Sequence, residues 1–142
     1  MKRTIFLLCI FCLSVQTVFS QSHVSKNNYT GDWTTSTSWS PTWFSPQTNN
    51  LTSDITINGY ITLNGSLSFS ILPVNLIIND TLVINGDLTL GLLTDLTING
   101  NGILIVRGNL TIGAFSRIIT NNYIVGDILA LRPGSIFAVS SK

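Results

Sequence analysis

The sequence predicts an all-β fold, a right-handed parallel β-helix, that is, a three-sided β-solenoid of about four coils of ~21 residues each. Three observations predict it. From Asp54 onward apolar residues alternate with Thr, Ser and Asn in runs of four or five, broken every few residues by Gly, Asn or Asp, the pattern of short strands and tight turns. The pattern repeats. Asp54-Ile55-Thr56-Ile57-Asn58, Asn75-Leu76-Ile77-Ile78-Asn79, Asp95-Leu96-Thr97-Ile98-Asn99 and Arg117-Ile118-Ile119-Thr120-Asn121 begin equivalent units at intervals of 20 to 22 residues. After the first twenty residues no window holds ten residues of helical periodicity.

In chain order, Lys2 and Arg3 precede an apolar run from Ile5 to Val18. The run is too short, and too interrupted by Ser14, Gln16 and Thr17, to span a bilayer well. It reads as a secretory signal peptide, residues 1–20, with cleavage before Gln21. Cys9 and Cys12 fall inside it, each after a bulky residue, so the mature chain is expected to carry no disulfide, thiolate metal site or lipid anchor. Secretion to the extracellular space or cell surface follows, with no transmembrane segment after cleavage. All six acids are Asp and the one histidine is His23. Without the signal five basic groups face six acids, and nothing in that balance points to nucleic acid.

Residues 21–53 are rich in Ser, Thr and Asn, with Trp33, Trp39 and Trp43 and no sustained period. They are expected to form a cap over the open first coil, because a solenoid end exposes strand edges and apolar side chains. The repeats occupy 54–142. A second strand follows the first in each copy (Ile61 to Leu63, Leu82 to Ile84, Leu104 to Val106, and a contracted Ile124-Val125), and Gly65, Gly86, Gly108 and Gly126 end these strands. The third strands carry the apolar pairs Leu67/Phe69, Leu88/Leu90, Leu110/Ile112 and Ile128/Ala130, and Ser135-Ile136-Phe137-Ala138 reads as the start of a fifth copy. With side chains alternating across a strand, the Ile/Leu/Val pairs fill the interior. The Asn58, Asn79, Asn99 and Asn121 corners are expected to tolerate positive φ and to stack as an amide ladder.

The coil length, the Asn corner and the inward apolar pairs, over residues 54 to 139, resemble the secreted right-handed parallel β-helix proteins. That group includes pectate-lyase-like enzymes and filamentous-haemagglutinin-like adhesins. Gly31-Asp32-Trp33 and Ser38-Trp39 also look like the tryptophan-bearing segments that precede such repeats in surface proteins. The resemblance implies the fold, while function must come from the sites.

Enzymes similar to these carry acids or basic residues on one face, flanked by long loops. Here the corners are short. The nearest constellation is the column Ser66, Asp87, Asn109 and Asp127, where Asp87 and Asp127 would lie two coils apart, roughly 9.6 Å from the strand spacing, overlapping an inverting glycosidase pair. A turn position filled by ordinary turn residues explains the same column. So does it explain Asp54, Asn75, Asp95 and Arg117, which offer too few carboxylates for calcium. The outward Ser68, Thr89 and Thr111 partly resemble an ice-binding face, although threonine is simply a good strand residue. The outward Val83, Ile105 and Val125 form an apolar stripe suited to a partner, and Trp33, Trp39 and Trp43 are candidates for protein or sugar contact. Asn28, Asn50, Asn64, Asn79 and Asn109 head N-glycosylation triplets.

The expected function is a non-catalytic secreted or cell-surface structural and adhesive module, a fragment of a longer stalk if the repeat continues. A carbohydrate-active lyase or hydrolase is the alternative, and an ice-binding solenoid the third. No catalytic residue, metal or cofactor is predicted. The expected partners are a protein or a surface glycan, and, because no amphipathic helix or aromatic segment is recognised in the sequence up to Lys142 to cover the last coil, other copies of the chain joined end to end.

Overall fold

A computed structural model describes residues 22–120 and the backbone of the strand Phe137–Ser140. The predicted signal peptide, the predicted rungs Ile124-Val125 and Ile128/Ala130, and the roles expected of Asn121, Val125 and Asp127 lie outside the described residues. Among the described residues no helix is long and apolar enough to cross a membrane.

The fold is a parallel β-solenoid of about three turns. Each of the first three predicted copies supplies three strands. The first contains β4 (Ile55–Ile57), β5 (Tyr60–Leu63) and β6 (Leu67–Ser68). The second contains β7 (Val74–Ile78), β8 (Thr81–Ile84) and β9 (Leu88–Leu90), and the third β10 (Thr94–Ile98), β11 (Ile103–Val106) and β12 (Leu110–Ile112). β13 (Arg117–Thr120) opens the next copy. The strands stack in parallel with the register read from the repeat: Ile55 on Leu76, Leu76 on Leu96, and Leu96 on Ile118. Alternation then decides the interior. Ile55, Ile57, Ile61, Leu67, Leu76, Ile78, Leu82, Ile84, Leu88 and Leu90 are fully buried in one axial core. Fully burying each such side chain is worth about 1.5–3 kcal/mol.

The repeat begins one coil earlier than the sequence pattern indicates. β1 (His23–Ser25) lies parallel to β4 with His23 on Ile55, and β2 (Thr30–Asp32) lies parallel to β5 with Gly31 on Ile61. A parallel bridge from Leu51 to Phe69 completes the third side. Residues 22–53 are therefore a coil as well as a cap. That coil takes 32 residues where later ones take 20 to 22, because a segment between β2 and Leu51 folds over the end. Within it a short 3-10 turn (Ser36–Ser38) leads into β3 (Trp39–Ser40), which pairs antiparallel with β1 and covers the edge of that sheet. The alternation is hidden because His23 and Ser25, both buried, occupy inward positions that hold isoleucine in the next coil.

At the other end β14 (Phe137–Ser140) pairs antiparallel with β11, with Ala138 on Ile105. This corrects the expected parallel fifth copy. It also takes the rung beside β11 that the sequence assigned to Ile124-Val125. The edge of β11 carries unpaired backbone groups that a returning strand can satisfy, and strand direction is not fixed by alternation alone.

Asn58, Asn79 and Asn99 do not have the expected positive φ; among the described residues the left-handed ones are Asn28, Asn50, Leu93, Phe115 and Gly100. Gly59 is required for room instead, since a Cβ there would sit 2.5 Å from the carbonyl oxygens of Lys26 and Tyr29.

Candidate functional site

The polar corners of the coils bond mainly to one another. Asn79 Nδ2 donates to Asn58 Oδ1 at 2.7 Å and Asn99 Nδ2 donates to Asn79 Oδ1 at 3.0 Å, which is the predicted amide ladder. Ser25 Oγ tops the column by accepting from the backbone N–H of Asn58 at 2.7 Å and of Gly59 at 3.2 Å. A second ladder follows the next corner: Asn85 Nδ2 donates to Asn64 Oδ1 at 2.7 Å, and Asn64 Nδ2 donates to Asp32 Oδ2 at 3.2 Å. Hydrogen bonds from the Thr34 hydroxyl and backbone, and then from Asn64, hold the Asp32 carboxyl below its ordinary range.

The acid column is built the same way. Ser66 Oγ accepts from the Asp87 N–H at 3.0 Å, and Asp87 Oδ1 accepts from the Asn109 N–H at 2.7 Å and from Asn109 Nδ2 at 3.3 Å. In the other column Asp54 Oδ1 accepts from Asn75, through the backbone N–H at 2.8 Å and the side chain at 3.2 Å. Arg117 makes a two-pronged pair with Asp95, at 2.9 Å and 2.5 Å, and that hydrogen bonding, reinforced by charge, lowers the Asp95 pKa. Among the described residues no group of three or more His, Cys, Asp or Glu is placed to hold a metal ion.

The three tryptophans separate. Trp33 and Trp39 are fully buried, with rings 4.9 Å apart and edge to face. Both indole N–H groups are satisfied, Trp33 by the Pro46 carbonyl at 3.0 Å and Trp39 by the Trp33 carbonyl at 2.7 Å. They belong to the core and have no face left for a sugar. Trp43 is 81% exposed. In the outward stripe Val83 is only 4% exposed, stacked between Thr62 and Ile105, and Ile105 is half-buried.

Two features have no counterpart in the sequence reading. An apolar line runs along the corner that joins each third strand to the next first strand: Ile71 and Leu72, then Leu93, then Phe115, all exposed. Leu93 and Phe115 hold φ of 64° and 61°, a conformation costly for a bulky side chain. Their sequence surroundings carry no cue, since such corners ordinarily call for Gly or Asn.

The second feature is a cavity of about 310 Å³ at the N-terminal end, whose lining includes His23, Phe44, Pro46, Gln47, Thr52 and Ser53. β1 supplies His23, and the covering segment supplies Phe44, Pro46 and Gln47. The imidazole stands edge-on to the Phe44 ring at 5.5 Å and to the Trp39 ring at 6.3 Å. Burial lowers its pKa and favours the neutral form. The sequence singled out Trp43 and passed over its neighbour Phe44, because the cavity depends on two segments about twenty residues apart folding together.

No family model, no curated protein and no solved structure matches this chain.

Proposed function

We propose that the protein is a non-catalytic structural and adhesive module of the extracellular space or cell surface, closer in kind to the adhesin-like than to the pectate-lyase-like β-helices. One observation carries the reading: the polar residues at the repeat corners hydrogen-bond to their own copies in the next coil. They serve coil stacking, and Asp87, the strongest catalytic candidate, accepts two bonds from Asn109. The corners after the first and second strands are short, so among the described residues no long loop flanks the Asp87 face. The basic apolar leader at residues 1–20 supports export.

The test applies the purified protein to a panel of neutral and acidic polysaccharides and to immobilised cells and extracellular matrix. Retention on a surface without new reducing ends or unsaturated products is expected. Product release that Asp87→Ala abolishes at an unchanged melting temperature would overturn the reading in favour of an enzyme. Thermal hysteresis without surface retention would overturn it in favour of ice binding.

A further inference from the structure

We infer that the N-terminal cavity is a binding site for a neutral sugar ring, with Phe44 against the ring and Gln47 and His23 at its hydroxyls; the inference rests on the adhesive reading and locates its contact. The end coil is where the structure departs from its own rule. In the three coils that follow, the inward residues of the first strand are apolar except Thr94, and the corner asparagines Asn58, Asn79 and Asn99 bond to one another, whereas here an inward histidine borders an open cavity.

The lining decides the ligand class. It holds no Asp, Lys or Arg, and its one titratable group is shifted toward the uncharged form by burial, so a charged ligand would lose hydration with no counter-charge to meet it. It is also not purely apolar. Gln47, Thr52 and Ser53 bring an amide and two hydroxyls around an aromatic ring and a proline. Neither the Gln47, Thr52 and Ser53 side chains nor the imidazole nitrogens make a hydrogen bond to another described residue, in contrast with the ladder residues. An apolar face beside several unspent donors and acceptors suits a molecule with one C–H face and a hydroxyl edge. A neutral pyranose has that chemistry. The volume lies at the low end of small-molecule sites, which run to about 300–1,000 Å³.

The site is also prearranged. His23 is fixed by strand pairing to β4, with its backbone N–H donating to the Asp54 carbonyl at 2.9 Å. Phe44 is 41% exposed and seated edge-on against it. Phe44 and Gln47 therefore lie at the surface, where truncation leaves the buried Trp33–Trp39 pair untouched.

The experiment is isothermal titration of the purified protein with galactose, N-acetylglucosamine, its β-1,4-linked trimer and maltotriose, with trigalacturonate as the charged comparator. At least one neutral probe is expected to bind, with trigalacturonate tenfold weaker or worse. Phe44→Ala and Gln47→Ala should each weaken binding tenfold or more at an unchanged melting temperature. Tighter binding of a trimer than of its monomer assigns the site to a glycan chain; equal binding assigns it to a free sugar. Failure of all four neutral probes, preference for trigalacturonate, or undiminished binding by the Phe44→Ala/Gln47→Ala double variant would overturn the inference. Surface retention that survives in the double variant overturns the sugar site and leaves the adhesive reading standing. Sugar binding without retention on any surface does the reverse.

Discussion

In the coil formed by β4, β5 and β6 the inward residues are Ile55/Ile57, Ile61/Leu63 and Leu67/Phe69; in the coil before it they are His23/Ser25, Gly31/Trp33 and Leu51. Both coils use the same parallel hydrogen bonds. The later coil has a neighbour of its own shape in β7, β8 and β9, where like residues stack on like. Among the described residues the end coil has a neighbouring coil on one side only. Gly31 leaves room that a Cβ would deny, since it would overlap Ser38 Oγ and the Tyr29 ring, and the covering segment brings Trp33 and Trp39 into the core. Repetition makes an interior coil legible and stable, whereas an end coil must be covered, and covering it needs residues of different size and polarity.

The largest expected effects test whether the two regions form one cooperative unit. Leu88, fully buried between Leu67 and Leu110, cannot give way to a carboxylate. Leu88→Asp should cost more than about 5 kcal/mol, the lower edge of a domain's whole margin, and leave no cooperative melting transition. A wild-type midpoint for that variant would refute the stacked interior. Trp33→Ala should remove about 3–5 kcal/mol by opening a cavity. If calorimetry finds the main transition unmoved, residues 22–53 are an appendage and not a coil.

The middle of the Asn ladder comes next. Asn79 donates to Asn58 and accepts from Asn99, so Asn79→Ala should cost about 1–2 kcal/mol, with each exposed amide bond worth about 0.5–1.5 kcal/mol. Urea denaturation measures it, and an unchanged midpoint would reduce the ladder to an incidental alignment. Thr94 should respond in the opposite direction. Its hydroxyl is buried without a partner, and Val74 occupies the same rung one coil earlier. Thr94→Val keeps the shape and deletes the orphaned group, for a gain of about 1 kcal/mol; a loss in the same denaturation series would show that the hydroxyl has a use.

The smallest effect is the pH response of the end coil. Burial lowers the His23 pKa from its ordinary 6.5, so the unfolded chain takes up the proton first as pH falls. The contribution of neutral His23 is complete above 6.5, declines as pH drops through that value, and levels off once the folded imidazole protonates. The chain has one His and no Glu, so His23→Gln should flatten stability between pH 7 and 5. A second decline belongs to Asp32 and Asp95, whose folded pKa values lie below the ordinary 3.8; it begins as pH falls through 3.8 and is common to both proteins. A slope that survives His23→Gln would mean that His23 is not the group responsible.

The sequence by itself determined the solenoid, the three sides of each coil, the inward pairs as far as Leu104/Val106 and the Asn ladder from Asn58 to Asn99, whereas of the predicted pair Leu110/Ile112 the first is only partly buried and the second is exposed. Period-two alternation and a fixed repeat are local properties, and identical residues stacked at one strand spacing leave a single register that buries them all. Tertiary structure alone decided three things. It made residues 22–53 a coil, because a hydrogen-bonded strand does not need apolar inward residues when Trp33 and Trp39 arrive from elsewhere to fill the space. It turned β14 against β11, because alternation does not encode strand direction. It brought His23 to Phe44 and Gln47, because a cavity forms between segments distant in sequence and leaves no period to read.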